Sequence, residues 1–203
     1  MITVIDYDMG NLRSVQKALE SLGFACAVTS DRKKIKSSGG IVLPGVGAFD
    51  AGITELRKNN LESVILEEIG SGKPFLGICL GMQLLLSSSE EGKLSGLGVF
   101  GGKCRRFPRS GLAVPQMGWN RLIVKNPSAI LNGITSGEMM YFANSYYVDP
   151  DDGSIIAAET DYGVNFASVI SKKNIFGTQF HPEKSGKEGL KILSNFGKLC
   201  GKE

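Results

Sequence analysis

Through its first half the chain alternates short apolar runs with stretches of helical periodicity, and this alternation restricts the fold more than any other feature. Ile2 to Ile5 reads as a buried strand, and beyond Gly10 the residues Leu12, Val15, Ala18, Leu19 and Leu22 recur at helical spacing. Phe24 to Thr29 and Ile41 to Leu43 read as further strands closed by turn residues, Leu61 to Ile69 is helical in pattern, and Pro74 to Ile78 enters a strand that stops at Cys79. Met82 to Leu86 then begins another apolar helix. Parallel strands need long crossovers, and helical crossovers cover both sheet faces, so the pattern predicts a mostly parallel sheet between two helical layers. The second half reads differently. Arg121 to Lys125, Met139 to Val148, Ile155 to Glu159, Phe166 to Ser171 and Ile175 to Phe180 are strand-like runs separated by turn clusters such as Asp149 to Gly153, which predicts antiparallel additions to the sheet. A last helix carries Leu190, Leu193, Phe196 and Leu199 on one stripe and is expected to pack back on the sheet. The expected fold is thus an α/β, three-layer open sheet. With 203 residues, 42% of them apolar, and no repeat or linker, a single domain over residues 1–203 is expected.

Composition removes several functional classes. A formal net charge of +3 without long basic runs leaves no electrostatic footprint for nucleic acid or an anionic membrane surface. No stretch approaches eighteen unbroken apolar residues, and the N-terminus lacks the basic and apolar regions of a leader. The four cysteines, at 26, 79, 104 and 200, form no C-x-x-C pair, and one histidine cannot build a zinc site from several imidazoles. Neither metal nor cofactor is expected, and reduced thiols fit a cytoplasmic protein.

Three constellations carry chemistry. Cys79 lies at the centre of Gly77-Ile78-Cys79-Leu80-Gly81, where a strand gives way to a helix; glycines on both sides suit a strained elbow that pushes a side chain clear of the sheet. The following helix N-terminus lowers a thiol pKa and offers a donor to an oxyanion, here the Leu80 amide. Alone, a cysteine is as readily a small core hydrophobe, which is the reading given to Cys26, Cys104 and Cys200. The only histidine, His181, comes at the end of an apolar strand and is followed by Pro182 and Glu183. Residues two apart in an extended segment project to one side, so Glu183 can orient the His181 ring, although an isolated histidine before Pro-Glu is more often a plain loop residue. Third, Pro44-Gly45-Val46-Gly47-Ala48-Phe49 follows the Ile41 to Leu43 strand. Its glycines permit close backbone approach to a ligand or an oxyanion hole at Gly47, yet neither a dinucleotide fingerprint nor a P-loop is complete, and a plain turn remains open. A thiol, a distant imidazole and a carboxylate together point to a cysteine-nucleophile amide hydrolase.

These blocks, with Met117-Gly118-Trp119-Asn120 and Gln179-Phe180-His181-Pro182-Glu183-Lys184-Ser185, resemble the class I glutamine amidotransferases, and within them the glutaminase subunits of imidazole glycerol phosphate synthase. The resemblance runs from Ile5-Asp6-Tyr7 to the chain end. It implies that Cys79 attacks the side-chain amide of L-glutamine, that His181 acts as base and then as acid toward ammonia, and that Glu183 orients it. It further implies that Gln83 and the Ser145-Tyr146 backbone hold the amino-acid end, that Gly47 sits by the oxyanion, and that no cofactor is used. Ammonia would pass to a cyclase partner, a (βα)8 barrel forming a heterodimer with this chain in histidine biosynthesis. Asn11, Trp119, Asn120 and Lys184 match positions that line the subunit contact or the ammonia passage.

Two positions depart from the family pattern: Asn144 and Gln116 stand where histidine is common. Both fall in segments tied to substrate or partner contact, which keeps a second acceptor in view, the amidination of bacterial surface sugars. A stand-alone cysteine hydrolase and a non-catalytic scaffold of the same fold are the readings from other classes.

Overall fold

The computed structural model describes residues 1–109 and 111–201. Its first half follows the alternation read from the sequence: β1 (Ile2–Ile5), α1 (Leu12–Ser21), β2 (Cys26–Thr29), α2 (Arg32–Ser37), β3 (Gly40–Gly45), α3 (Phe49–Lys58), α4 (Glu62–Gly70) and β4 (Phe75–Cys79). After a short α5 (Leu80–Gln83) come β5 (Leu86–Ser89), β6 (Phe100–Arg106), β7 (Gln116–Arg121), β8 (Ile123–Val124), β9 (Met139–Asn144), β10 (Tyr146–Pro150), β11 (Ile156–Asp161), β12 (Asn165–Lys172), β13 (Ile175–Thr178) and α6 (Gly186–Leu199).

Eleven strands form one sheet with the spine β2-β1-β3-β4-β13-β12-β10-β6-β5, and β11 and β8 branch from β12. From β2 to β13 every pairing is parallel, whereas β12 runs antiparallel to β13, β10 and β11. Alternation along the strands divides the core between two faces. On one face Val4, Val42, Leu76 and Ile78 pack with Val15 and Leu19 of α1 and with Ile192, Leu193 and Phe196 of α6. On the other, Ile5, Ile41, Leu43 and Phe75 pack with Ile35 of α2, with Phe49, Ile53 and Leu56 of α3, and with Val64 and Ile65 of α4. This is the three-layer α/β arrangement that parallel strands require. Among the described residues no helix is long and apolar enough to cross a membrane.

Three expectations need correction. The apolar run from Met82 to Leu86 is not a helix: α5 ends at Gln83, and Leu86 starts β5, pairing in parallel with Phe100. Every residue from Leu80 to Leu86 is buried, so no polar face marks the period, and the three serines that follow favour extended backbone over helix. The expected strand Met139 to Val148 is two strands that part at Ser145: β9 pairs with β7 in a separate two-stranded ribbon, while β10 joins the main sheet between β12 and β6. On α6 the buried stripe is Ile192, Leu193 and Phe196, and Leu199 is exposed.

Candidate active site

Cys79 is the last residue of β4 and the first hinge of the turn into α5. Its φ of 53° and ψ of −108° are strained for a side chain larger than glycine's, as expected where a turn holds a reactive group out of the sheet. The flanking positions have no room for a side chain: a Cβ on Gly77 would lie 2.5 Å from the Gly81 carbonyl oxygen, and one on Gly81 would lie 1.8 Å from that of Leu43. β4 is central, flanked by β3 and β13, and Gly45 is in register with Cys79 across the β3 pairing. The thiol therefore stands at the carboxyl ends of the parallel strands, where open α/β sheets form their ligand sites.

β13 delivers the imidazole. It ends at Thr178, the chain bends through Gln179 and Phe180, and the His181 amide donates to the Tyr141 carbonyl at 2.9 Å, fixing the strand end against β9. Pro182–Lys184 then form one 3₁₀ turn, which folds Glu183 back so that its Oε1 lies 2.9 Å from His181 Nδ1, both side chains almost fully buried. The Ser185 hydroxyl locks this turn by donating to the His181 carbonyl at 2.6 Å and accepting from the Tyr141 amide at 2.9 Å. His181 Nε2 is buried with no hydrogen-bond partner. Burial alone pulls the imidazole pKa down, but Cys79 and Glu183 together reverse this and push it up to about 10. Cys79 is close enough to act on the ring's charge.

The other cysteines sit in different surroundings. Burial pushes the thiols of Cys26 and Cys200 up to about 12 and raises that of Cys104 as well, so all three stay protonated. Cys104 donates its S–H to the Gln83 carbonyl at 3.6 Å.

A cleft of about 150 Å³ opens over the thiol, lined by Val46, Gly47, Cys79, Leu80, Gln83, Glu91, Pro115, Ala143, Asn144, Ser145 and Tyr146. Gly47, Leu80, Gln83, Ser145 and Tyr146, all singled out in the sequence, share this wall with the cysteine. Gly47 has a φ of +110°, the left-handed backbone only glycine adopts freely, and Val46 before it is exposed. The Gln83 side-chain amide donates at 3.0 Å to the Tyr146 carbonyl and at 3.1 Å to Gln179 Oε1, while Gln179 Nε2 approaches Cys79 Sγ at 3.7 Å.

Two contributors were not picked out from the sequence. Gln179 is wholly buried and ties Gln83 to the sulfur; the apolar strand reading of Ile175 to Phe180 hid it, although its place two residues before His181 was a usable signal. Glu91 reaches the cleft from the turn after β5 and accepts from the Phe49 amide at the start of α3 at 2.8 Å. Nothing local in Glu90-Glu91-Gly92 marks it.

The positions matched to a partner contact fall around one edge of the site. Trp119 is 53% exposed, stands edge-on to Tyr141 with ring centroids 6.1 Å apart, and lies against Gly186. Lys184 is exposed on the turn that carries Glu183, and Asn11 is exposed at the start of α1, which packs against that turn. Asn120 is tied inside the chain, donating to the Asp161 carbonyl at 2.8 Å and accepting from the Arg121 amide at 2.7 Å.

Comparison with known proteins gives the family. The family model for glutamine amidotransferase class-I matches residues 3–199. The chain is 51% identical over 202 residues to imidazole glycerol phosphate synthase subunit HisH of Methanosarcina acetivorans, covering 98% of each. It is 48% identical over 206 residues to the subunit of the same name from Syntrophotalea carbinolica, covering 98% of this chain and 100% of that one. Among solved structures, one described as a glutamine amidotransferase matches with a TM-score of 0.77 at 17% identity over the whole of both chains. PurLQS from Thermotoga maritima matches with a TM-score of 0.75 at 22% identity over 96% of each. At such identities the structural likeness concerns the fold.

Proposed function

The chain belongs to the class-I glutamine amidotransferase family, and from that premise we propose that its Cys79, His181 and Glu183 form the triad that hydrolyses L-glutamine. The protein is an enzyme of this family, the glutaminase subunit of imidazole glycerol phosphate synthase in histidine biosynthesis. Relatives about half identical along nearly the full chain support this acceptor over a surface-sugar amidination route. The whole chain, residues 1–203, acts as one amidotransferase domain.

Glutamine enters the cleft with its carboxamide carbon over Cys79 Sγ. The thiolate attacks that carbon, and the carbonyl electron pair moves onto oxygen, where the Leu80 amide and a backbone amide of the Val46-Gly47 segment stabilise it. Protonated His181 gives its Nε2 proton to the amide nitrogen as the C–N bond breaks, leaving a thioester and ammonia. Neutral His181 then takes a proton from water as the water oxygen attacks the thioester carbon; the C–S bond breaks and returns glutamate and the thiolate facing an imidazolium. Glu183 holds the tautomer that exposes Nε2 to the substrate and stabilises the charged ring. Gln83 and the Ser145-Tyr146 backbone grip the amino-acid end, with Glu91 as counter-charge to its ammonium group.

Ammonia is consumed by a synthase partner. We assign that partner the (βα)8-barrel cyclase role, a heterodimeric contact around Asn11, Trp119, Asn120 and Lys184, and a cytoplasmic setting. Transfer without release is physically useful because ammonium, the main species in water near neutral pH, has no lone pair for attack.

The observation that carries the triad is the 2.9 Å contact between His181 Nδ1 and Glu183 with Nε2 left free beside the Cys79 elbow. An electrophilic glutamine analogue tests it: mass spectrometry should find one adduct, on Cys79, suppressed by glutamine and absent in Cys79→Ser. Modification of Cys26 or Cys104 instead, or labelling indifferent to glutamine, contradicts the assignment.

A further inference from the structure

Gln116 and Asn144, read in the sequence as departures from what the resemblance implies, meet in the fold. Gln116 opens β7 and Asn144 closes β9, and they are in direct register across the ribbon. Both are at least nine-tenths buried, at 2% and 5% exposure. Asn144 Nδ2 donates to the Tyr146 carbonyl at 3.0 Å, but Asn144 Oδ1, Gln116 Oε1 and Gln116 Nε2 have no partner. Burying three polar atoms unpaired in one facing pair is costly unless something else pairs them. Asn144 also lines the cleft over Cys79, as does Pro115 beside Gln116.

Strand order shows what reaches this pair. β3, which leads into Val46 and Gly47, flanks the cysteine strand on one side, and β13, which leads into His181, flanks it on the other. The bond from the His181 amide to the Tyr141 carbonyl places the ribbon on the histidine flank. The oxyanion therefore develops on the β3 side, and the nitrogen that takes the His181 proton leaves on the ribbon side. Neutral ammonia has three N–H donors and one lone pair. Two free carbonyl acceptors and one free amide donor complement it, whereas ammonium, with four donors and no lone pair, meets an N–H donor it cannot accept from. Neither amide titrates, so the pair cannot protonate its guest.

We propose that Gln116 and Asn144 form a binding site for neutral ammonia, the first station of the leaving nitrogen between Cys79 and the subunit contact. This rests on the glutaminase reading above. The exposed Met117 and Trp119 that follow Gln116 on β7 place the site just beneath the surface assigned to the partner.

The test uses the complex with its synthase partner, glutamine labelled with ¹⁵N at the amide, and unlabelled ammonium in the medium. The quantity read is labelled imidazole product per glutamate released. In the unaltered complex the ratio should be near one; a low ratio there would sink the coupled-transfer reading itself. Gln116→Leu should lower the ratio roughly three- to tenfold, as expected for one lost hydrogen bond, with the missing label recovered as free ammonium. Gln116→Glu preserves the shape but adds an ammonium-binding carboxylate, and it should lower the ratio likewise, which covers the case in which the leucine variant does not fold. A ratio unchanged in the folded variants overturns the proposal, including when the KM for glutamine rises, which would assign the pair to the substrate's grip.

Discussion

With a single histidine in the chain, the chemistry of the site can be followed by titration of one residue. Burial works against a charged His181, and Cys79 and Glu183 outweigh it, so the ring's pKa stands near 10. Glu183→Gln removes one of the two groups that favour the charge and leaves burial in place. The imidazole resonances, which need no assignment, should therefore titrate at lower pH in that variant than in the unaltered protein; an equal or higher midpoint would contradict the coupling. The same substitution frees the tautomer and should lower kcat for glutamine hydrolysis by roughly 10² to 10⁴ while the fold persists. The linkage has a definite sign. A group raised from 6.5 to about 10 in the folded chain adds stability that is fully present below pH 6.5 and is lost as pH rises through 10. Thermal melting should show the unaltered protein losing more stability than His181→Ala across that window, and parallel pH curves for the two would refute the shift.

At the scale of elements, the β4–α5 elbow is the piece on which the site depends. Gly81→Ala would drive a methyl into the Leu43 carbonyl on the neighbouring strand, and Gly77→Ala would drive one into the Gly81 carbonyl. Backbone on the far side cannot swing away as a side chain does. Each change is expected to cost about 1–3 kcal/mol or more, read from denaturant midpoints, and to displace Cys79 enough to abolish glutaminase activity. A variant of unchanged stability would mean the elbow relaxes in a way the packing does not allow. This elbow was legible in the sequence because glycine, cysteine and glycine at alternate positions have few other uses where an apolar strand ends. Legibility failed where local pattern carries no phase. The stretch from Leu80 to Leu86 is buried on all sides and could not distinguish one helical turn from a strand start. Residues 139 to 148 are strand-like throughout, and the change of sheet at Ser145 is decided by long-range pairing with β7 on one side and β6 on the other. Glu91 was invisible for the same reason, since only the approach of α3 brings it to the cleft.

At the scale of the molecule, the parallel half of the sheet positions Cys79 and His181, and the ribbon of β7 and β9 closes over the cleft beside them. The three-layer arrangement could be read in advance because alternating strands and helices leave few ways to cover two apolar faces; the detached ribbon could not, since β7 pairs with a strand more than a dozen residues away. That ribbon presents Met117 and Trp119 at 69% and 53% exposure, an apolar edge that a docked partner would cover. Trp119→Ala should weaken the complex with the synthase subunit by roughly tenfold or more, measured by calorimetry, with little effect on melting of the isolated chain. An unchanged affinity would move the contact elsewhere. The claim on which the whole account depends is that amide hydrolysis happens at Cys79 while the acceptor chemistry happens on another chain, and the Cys79→Ala complex tests it most directly. Assayed for imidazole product, it should be inactive with glutamine, by at least about three orders of magnitude, and retain the unaltered rate with added ammonium salts. Turnover from glutamine in that variant, or loss of both activities in a correctly folded complex, would contradict the account.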